Sequence, residues 1–124
     1  MLIITSEDAV NKNSQLADRI TKKGVKILAV PVKRGRCDLN VLLNELSKRG
    51  IGHLLVEGGP TVITSFLKEN LADEVYVYIA SKALGSQGSV DITKPMAELT
   101  NFIGLNQVKT KHFDGDTRIS GLCS

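Results

Sequence analysis

The stretch Leu54-Leu55-Val56-Glu57-Gly58-Gly59-Pro60-Thr61-Val62-Ile63 decides how this 124-residue chain is read. An apolar run, read as a central strand, stops at an acid and two glycines, and a helical pattern begins at once. Val62, Ile63, Phe66 and Leu67 are spaced to form one apolar stripe on that helix. Pro60 suits the first helical position, where a missing N–H costs nothing. The backbone N–H groups of Thr61, Val62 and Ile63 are then expected to point forward without intrahelical partners. Together with the positive end of the helix dipole they form a place for an anion such as a phosphate. Gly58 and Gly59 carry no Cβ, so a ligand can come up against the main chain, and a dinucleotide is the ligand expected there. The same residues also fit a tight strand-to-helix turn whose glycines serve backbone conformation alone, and the spacing by itself does not choose between the two.

On the N-terminal side, Leu2-Ile3-Ile4 reads as a strand and Thr5-Ser6-Glu7-Asp8 as a polar loop. Opening so abruptly in a strand suggests that residues upstream are missing. Asn13 or Ser14 is expected to cap a first helix with Leu16, Ala17 and Ile20 facing inward; Lys22-Lys23 lies in its last turn and Gly24 just past it. Val25 to Val32 is apolar enough for a strand buried on both faces, ending near Pro31. After Lys33-Arg34-Gly35-Arg36, Asp38 is placed to cap a second helix whose stripe is Leu39, Leu42, Leu43 and Leu46, stopped at Lys48-Arg49-Gly50. With the central stretch, three strand–helix alternations follow one another, which argues for parallel strands joined by right-handed crossovers.

On the C-terminal side, Glu74 to Ala80 alternates as a strand, with Val75, Val77 and Ile79 on one face and Tyr76 and Tyr78 on the other. Ser81 to Asn101 has a loop-like composition. Phe102 to Phe113 and Thr117 to Leu122 read as strands joined across Asp114-Gly115, a hairpin signal.

Composition narrows the classes. The length suits one domain spanning residues 1–124 with one real core. At 42% hydrophobic and 23% charged residues the chain is ordinary for a soluble globular protein. A net charge of +3 is too small to argue for nucleic acid. No apolar run approaches a membrane span, and the N-terminus lacks a signal-peptide pattern. Cys37 and Cys123 have no metal-like spacing, so a reduced, cytoplasmic protein without a metal is expected. His53 opens the central strand and reads as a core residue, and His112 as an exposed one. Neither has a partner that makes it a catalyst.

The string Leu-Leu-Val-Glu-Gly-Gly-Pro-Thr at residues 54–61, then Ser65-Phe66-Leu67 and Leu71-Ala72-Asp73-Glu74-Val75, resembles the C-terminal reductase domain of the bifunctional riboflavin-biosynthesis deaminase-reductase. The likeness continues through Tyr78-Ile79-Ala80-Ser81-Lys82-Ala83-Leu84-Gly85, although that family usually has proline where Ser81 stands. It implies an α/β fold of the dihydrofolate-reductase-like three-layer sandwich type, with a mostly parallel sheet and a C-terminal antiparallel hairpin. Against a family domain of roughly two hundred residues, an ordinary size for one domain, the chain is expected to be incomplete at its N-terminal side. It would then carry most of a cofactor cradle and little of the substrate pocket.

The resemblance also implies a function: NADPH-dependent reduction of a phosphoribosylamino-pyrimidine to its ribitylamino form. Cofactor contacts are carried over to Gly58, Gly59, Pro60, Thr61 and Val62, which correspond to the pyrophosphate cradle. Thr5 and Ser6 correspond to the loop near the adenosine ribose and its 2′-phosphate. Glu57 is implied as a contact to the ribose part of the substrate, since a carboxylate beside a phosphate would repel it; a structural acid bonded to nearby backbone fits it too. Lys33, Arg34 and Arg36 lie on the same expected ligand edge but read as a solvated basic loop and stay outside the site. No catalytic side chain is assigned, because the protein of such a reaction chiefly positions the reactants. The isolated chain is expected to be inactive and to form a homodimer held by strand pairing or sheet-face packing, the alternative being a monomer whose Ser81 to Asn101 segment folds over the exposed face. A non-catalytic nucleotide-binding or dimerisation module is the competing reading.

Overall fold

The computed structural model describes residues 1–81 and 104–123. The chain divides into two compact units, Met1–Leu54 and Leu55–Ser124. The first contains strand β1 (Leu2–Ser6), helices α1 (Glu7–Lys12) and α2 (Ser14–Lys22), strands β2 (Lys26–Val30), β3 (Val32–Lys33) and β4 (Arg36–Cys37), and helix α3 (Leu39–Lys48). The second contains helix α4 (Pro60–Lys68) and strands β5 (Glu74–Ile79), β6 (Leu105–Phe113) and β7 (Asp116–Cys123).

In the first unit β1 and β2 pair in parallel, from Leu2 beside Lys26 to Ser6 beside Val30. This is the parallel pairing that the strand–helix alternation predicts. Side chains two apart on a strand share a face, and Leu28 and Val30 pack from β2 against Leu42 and Leu46, one turn apart on α3. Val30 is wholly excluded from solvent. The stripe expected on α3 is present, and Asp38 caps the helix: its Oδ1 accepts from the N–H groups of Asn40 at 3.0 Å and Val41 at 3.2 Å. Fully burying one such leucine contributes about 1.5–3 kcal/mol.

Three expectations for this unit are corrected. The polar loop at Thr5 to Asp8 is the end of β1 followed by a helix, α1. Ser6 caps it, accepting from the N–H of Ala9 at 3.1 Å. Glu7 and Asp8 in its first turn and Lys12 in its last suit the helix dipole. Asn13 precedes α2 as expected but does not cap it through its side chain, which instead donates to the Ala9 carbonyl at 3.0 Å; Leu16 on α2 stays half exposed. The strand expected over Val25 to Val32 stops at Val30, and Lys26 and Ala29 on it are exposed, so it is not covered on both faces.

The central strand at Leu54 to Val56 is not formed among the described residues. Residues 51–57 have no ladder partner, Leu54 and Leu55 are exposed, and His53 is exposed instead of lying in a core. A strand exists through the backbone bonds it shares with a neighbour, and an apolar pattern cannot supply that neighbour.

In the second unit β7 lies between β5 and β6, antiparallel to both. Asp114 and Gly115 join β6 to β7 with φ of 38° and 96°, the positive pair that two-residue hairpins require, as the Asp-Gly signal predicts. Register puts Tyr76, Tyr78, Arg118, Lys111 and Phe113 on one face. The Arg118 guanidinium sits 5.4 Å from the Tyr76 ring centroid, and the Lys111 ammonium 4.7 Å from that of Phe113. The hydroxyl of Tyr76 is pushed above the usual phenol range, first by its hydrogen bond to the Glu74 carboxylate and then by burial. The chain leaving β5 is tied down where Ser81 N–H donates to Asp116 Oδ1 at 3.0 Å. The expected loop Ser81 to Asn101 falls, after Ser81, outside the described residues, as does Phe102.

Two substitutions test this account by denaturant unfolding. Leu46→Ala is expected to cost about 2–5 kcal/mol through the cavity it leaves. Asp38→Ala, which removes the α3 cap, is expected to cost roughly 1 kcal/mol. A smaller loss for Leu46→Ala than for Asp38→Ala would show that the core does not lie between β2 and α3.

Candidate functional site

The glycine pair opens α4 as its spacing predicts. Gly59 is the N-cap with extended backbone (φ −66°, ψ 159°), no side chain caps the helix, and Pro60 occupies the first position. The expected set of three forward donors is reduced. The Gly59 carbonyl accepts from Val62 N–H at 3.0 Å and from Ile63 N–H at 3.4 Å, so the turn uses both itself. Thr61 N–H remains without a partner among the described residues. The Val62 side chain is exposed, and so is Glu57, which makes no hydrogen bond to another described residue.

Packing among the described residues does not call for either glycine, but Gly58 has a φ of 159°, a backbone conformation that itself favours glycine. A Cβ built on Gly58 would meet only the Cβ of Val62, at 3.9 Å, an ordinary contact; one on Gly59 would meet nothing within 4 Å. Among the described residues nothing crowds this main chain, which is what close approach of a ligand needs. The residues thus fit the pyrophosphate of a dinucleotide, with one backbone donor and the positive end of the α4 dipole directed there.

Thr5 and Ser6 lie in the other unit, at the carboxyl end of β1. Thr5 is paired beside Ala29 and Ser6 beside Val30. Capping α1 uses one lone pair of Ser6 Oγ and leaves its hydrogen available to donate. The basic segment that follows β2 is an ordered feature. Strands β3 and β4 form an antiparallel hairpin with Val32 opposite Cys37 and Lys33 opposite Arg36. Arg34 and Gly35 at its tip have φ of 53° and 77°. Such a turn favours Asn-Gly or Asp-Gly; the weaker Arg-Gly pair is the sequence signal that had marked this segment only as a loop.

Cys37 and Cys123 are both free. The Cys123 thiol is pushed up by burial and, secondarily, by the charge of Asp73. No group of three or more metal-ligating side chains gathers among the described residues, and no described helix is long and apolar enough to cross a membrane.

Residues 1–119 match the family described as the RibD C-terminal domain. The riboflavin biosynthesis protein RibD of Aquifex aeolicus is 36% identical over 93 residues, 71% of this chain. RibD of Escherichia coli is 42% identical over 74 residues, 60% of this chain. The 2,5-diamino-6-ribosylamino-4(3H)-pyrimidinone 5′-phosphate reductase of Archaeoglobus fulgidus is 39% identical over 54 residues, 44% of this chain. These matches span only 20% to 25% of the lengths of those relatives. Among solved structures, the riboflavin biosynthesis reductase Rib7 of Saccharomyces cerevisiae superposes with a TM-score of 0.69 at 17% identity, covering 99% of this chain and 68% of that one. RibD of Acinetobacter baumannii superposes with a TM-score of 0.64 at 23% identity, covering 99% of this chain and 31% of that one. The architecture is therefore the α/β fold of dihydrofolate-reductase type, and the chain belongs to the RibD C-terminal domain family.

Proposed function

We propose that this chain provides the dinucleotide-binding part of an NADPH-dependent reductase of riboflavin biosynthesis. The substrate is a phosphoribosylamino-pyrimidine, and the product is its ribitylamino form. The observation that carries the reading is the start of α4: among the described residues the helix has no side-chain cap, Thr61 N–H has no partner, and nothing crowds the main chain at Gly58 and Gly59. The family match and the relatives named for riboflavin biosynthesis and for a pyrimidinone phosphate reductase support it.

When bound, the cofactor supplies the hydride that reduces the sugar carbon. The chain's own part is binding and orientation. Gly58, Gly59, Pro60, Thr61 and Val62 hold the pyrophosphate through main-chain contact and the helix dipole. Thr5 and Ser6 offer hydroxyl donors to the phosphorylated adenosine ribose. Glu57, exposed just ahead of the glycine pair, accepts from hydroxyls of the substrate ribose. Fixing two reactants in one geometry lowers the barrier without any protein group entering the chemistry.

Self-association belongs to the same proposal. Among the described residues β1 pairs only with β2 and β5 only with β7, so each has a free edge, and Leu55 and Tyr78 are 76% and 69% exposed. Free strand edges and exposed apolar side chains are satisfied by a second copy at least cost through a two-fold axis.

Three measurements test the reading. Calorimetric titration is expected to give weak NADPH binding, tighter than NADH binding; equal affinities, or none for either, would overturn it. Gly59→Ala is expected to leave thermal stability within about 1 kcal/mol, since no atom stands in the way of the new methyl group and its φ is ordinary. It should nevertheless weaken NADPH binding at least tenfold; unchanged binding would show that no ligand approaches there. Light scattering at micromolar concentration is expected to give a dimer, and a mass near 13.4 kDa would exclude it.

A further inference from the structure

Strand β6 is an outer edge of the C-terminal sheet: among the described residues it pairs with β7 alone. Its ladder is broken near one end. Asn106 stands opposite Leu122 and Lys109 opposite Ser120, so Gln107 and Val108 both stand across from the single residue Gly121. This is a β-bulge, with one residue more on β6 than on its partner. It is made from unfavourable parts. Gln107 has φ 52°, a left-handed conformation that glycine takes readily and glutamine does not. Gly121 approaches β6 so closely that a Cβ on it would lie 3.0 Å from the Leu105 Cβ and 3.2 Å from the Asn106 carbonyl oxygen. The bulge therefore holds a strained residue on β6 and requires a residue without a side chain on β7. The extra length does not fill the core, because Val108 is 55% exposed. Strain that packing does not use is a candidate for a functional constraint.

The place of the bulge says what the constraint is. An edge strand offers a row of unpaired N–H and C=O groups to any other extended chain, and a bulge breaks that row and twists it away. Here it leaves Leu105 and Asn106 on one side and the longer piece Lys109 to Phe113 on the other. That piece carries Lys109 and Lys111 on one face. Lys111 lies over the Phe113 ring of its own strand, which leaves its charge in place. Antiparallel pairing of two copies about a two-fold axis keeps each sheet face with itself, so the axis must pass through a residue position. Centred on Lys109, Thr110 or Lys111, such a pair sets lysine opposite lysine, and directly opposed like charges are destabilising. Centred on His112, it avoids this but brings just Lys111 to Phe113 into register. Strand β5, at the other side of the sheet, has neither feature. It runs in unbroken register from Glu74 beside Leu122 to Ile79 beside Thr117 and carries no lysine.

We propose that the Gln107–Val108 bulge and the two lysines beyond it close the β6 edge to strand pairing by a second copy of this chain. With β6 open as well as β5, copies could add edge to edge without limit; with β6 closed, growth through this sheet stops at a pair. The inference extends the self-association reading given above by naming the edge that a second copy does not use, and it is independent of the cofactor reading.

The test follows mass by sedimentation velocity across a micromolar to near-millimolar series of the full chain. Deleting Gln107 sets Val108 alone opposite Gly121 and makes the edge regular; Lys109→Thr and Lys111→Thr remove the charges and keep strand preference. The variant with all three changes is expected to grow with concentration to at least about twice the wild-type mass. Gln107→Gly is the control: it keeps the bulge and relieves its φ, so the melting temperature should hold or rise and the mass should not change. A combined variant that melts as cooperatively as the wild type and keeps the wild-type mass overturns the proposal. So does growth of Gln107→Gly to the same extent, since its edge is still bulged. Should the combined variant fail to fold, hydrogen exchange on the wild type decides. Amides of residues 105–113 are expected to exchange equally fast at both ends of the concentration series, and protection there that rises with concentration shows β6 to be an interface. A wild-type chain that stays monomeric throughout removes the self-association reading, while growth of the combined variant would still establish the closed edge.

Discussion

Exclusion of water from Val30 is the interaction on which the first unit depends. Its side chain, with Leu28, closes β2 onto Leu42 and Leu46 of α3, and no other described residue is so completely buried. Because parallel pairing sets Ser6 beside Val30, the same burial fixes the height of the β1 hydroxyls along the sheet. It also fixes where the chain turns out into the β3–β4 hairpin and where Asp38 comes back to open α3. A slip of one residue in β2 would turn Leu28 and Val30 away from α3 and bring Ile27 and Ala29 inward. The apolar core and the position of the polar residues around it are thus one constraint.

What was legible in the sequence follows from how local each signal is. The α3 stripe and its Asp38 cap, the opening of α4 at Gly59-Pro60 and the Asp114-Gly115 turn all depend on residues within one or two turns of each other, and all are present. Ser6 misled because a serine before two acids suits a loop as well as a cap; only the Ala9 N–H that it accepts from distinguishes them. Leu54 to Val56 misled for the opposite reason. Its pattern is that of a buried strand, but strand formation depends on a partner that lies elsewhere in sequence. At the candidate site the glycine pair was legible. Which backbone donors stay unused was not, since the Gly59 carbonyl engages Val62 and Ile63 through the detailed pitch of the first turn.

In the proposed reading the two candidate regions would use different physics for one kind of ligand group. At α4 the attraction comes from the main chain, a partial charge at the end of a helix, and works at close range where glycines let the ligand in. Around Thr5 and Ser6 that reading relies on side-chain hydroxyls, set next to the acids Glu7 and Asp8 in the first turn of α1. The first suits a diester-like pyrophosphate that lies flat on backbone. The second suits a terminal phosphate whose charge is nearly two units and whose oxygens are all available.

The order of strands in the second unit bears on how the protein is made. Strand β7 lies between β5 and β6 yet follows both of them in sequence, so Glu74 finds its neighbour only when Leu122 is available. Among the described residues, β5 and β6 leave the ribosome with no ladder to join until β7 emerges. Long-range pairing of this kind forms late and slowly, and its unpaired intermediates are the species most exposed to aggregation. The first unit has no such delay, because β1, β2 and α3 emerge in the order in which they pack. The β5–β7–β6 sheet therefore depends for its assembly on the strand that follows the other two in sequence.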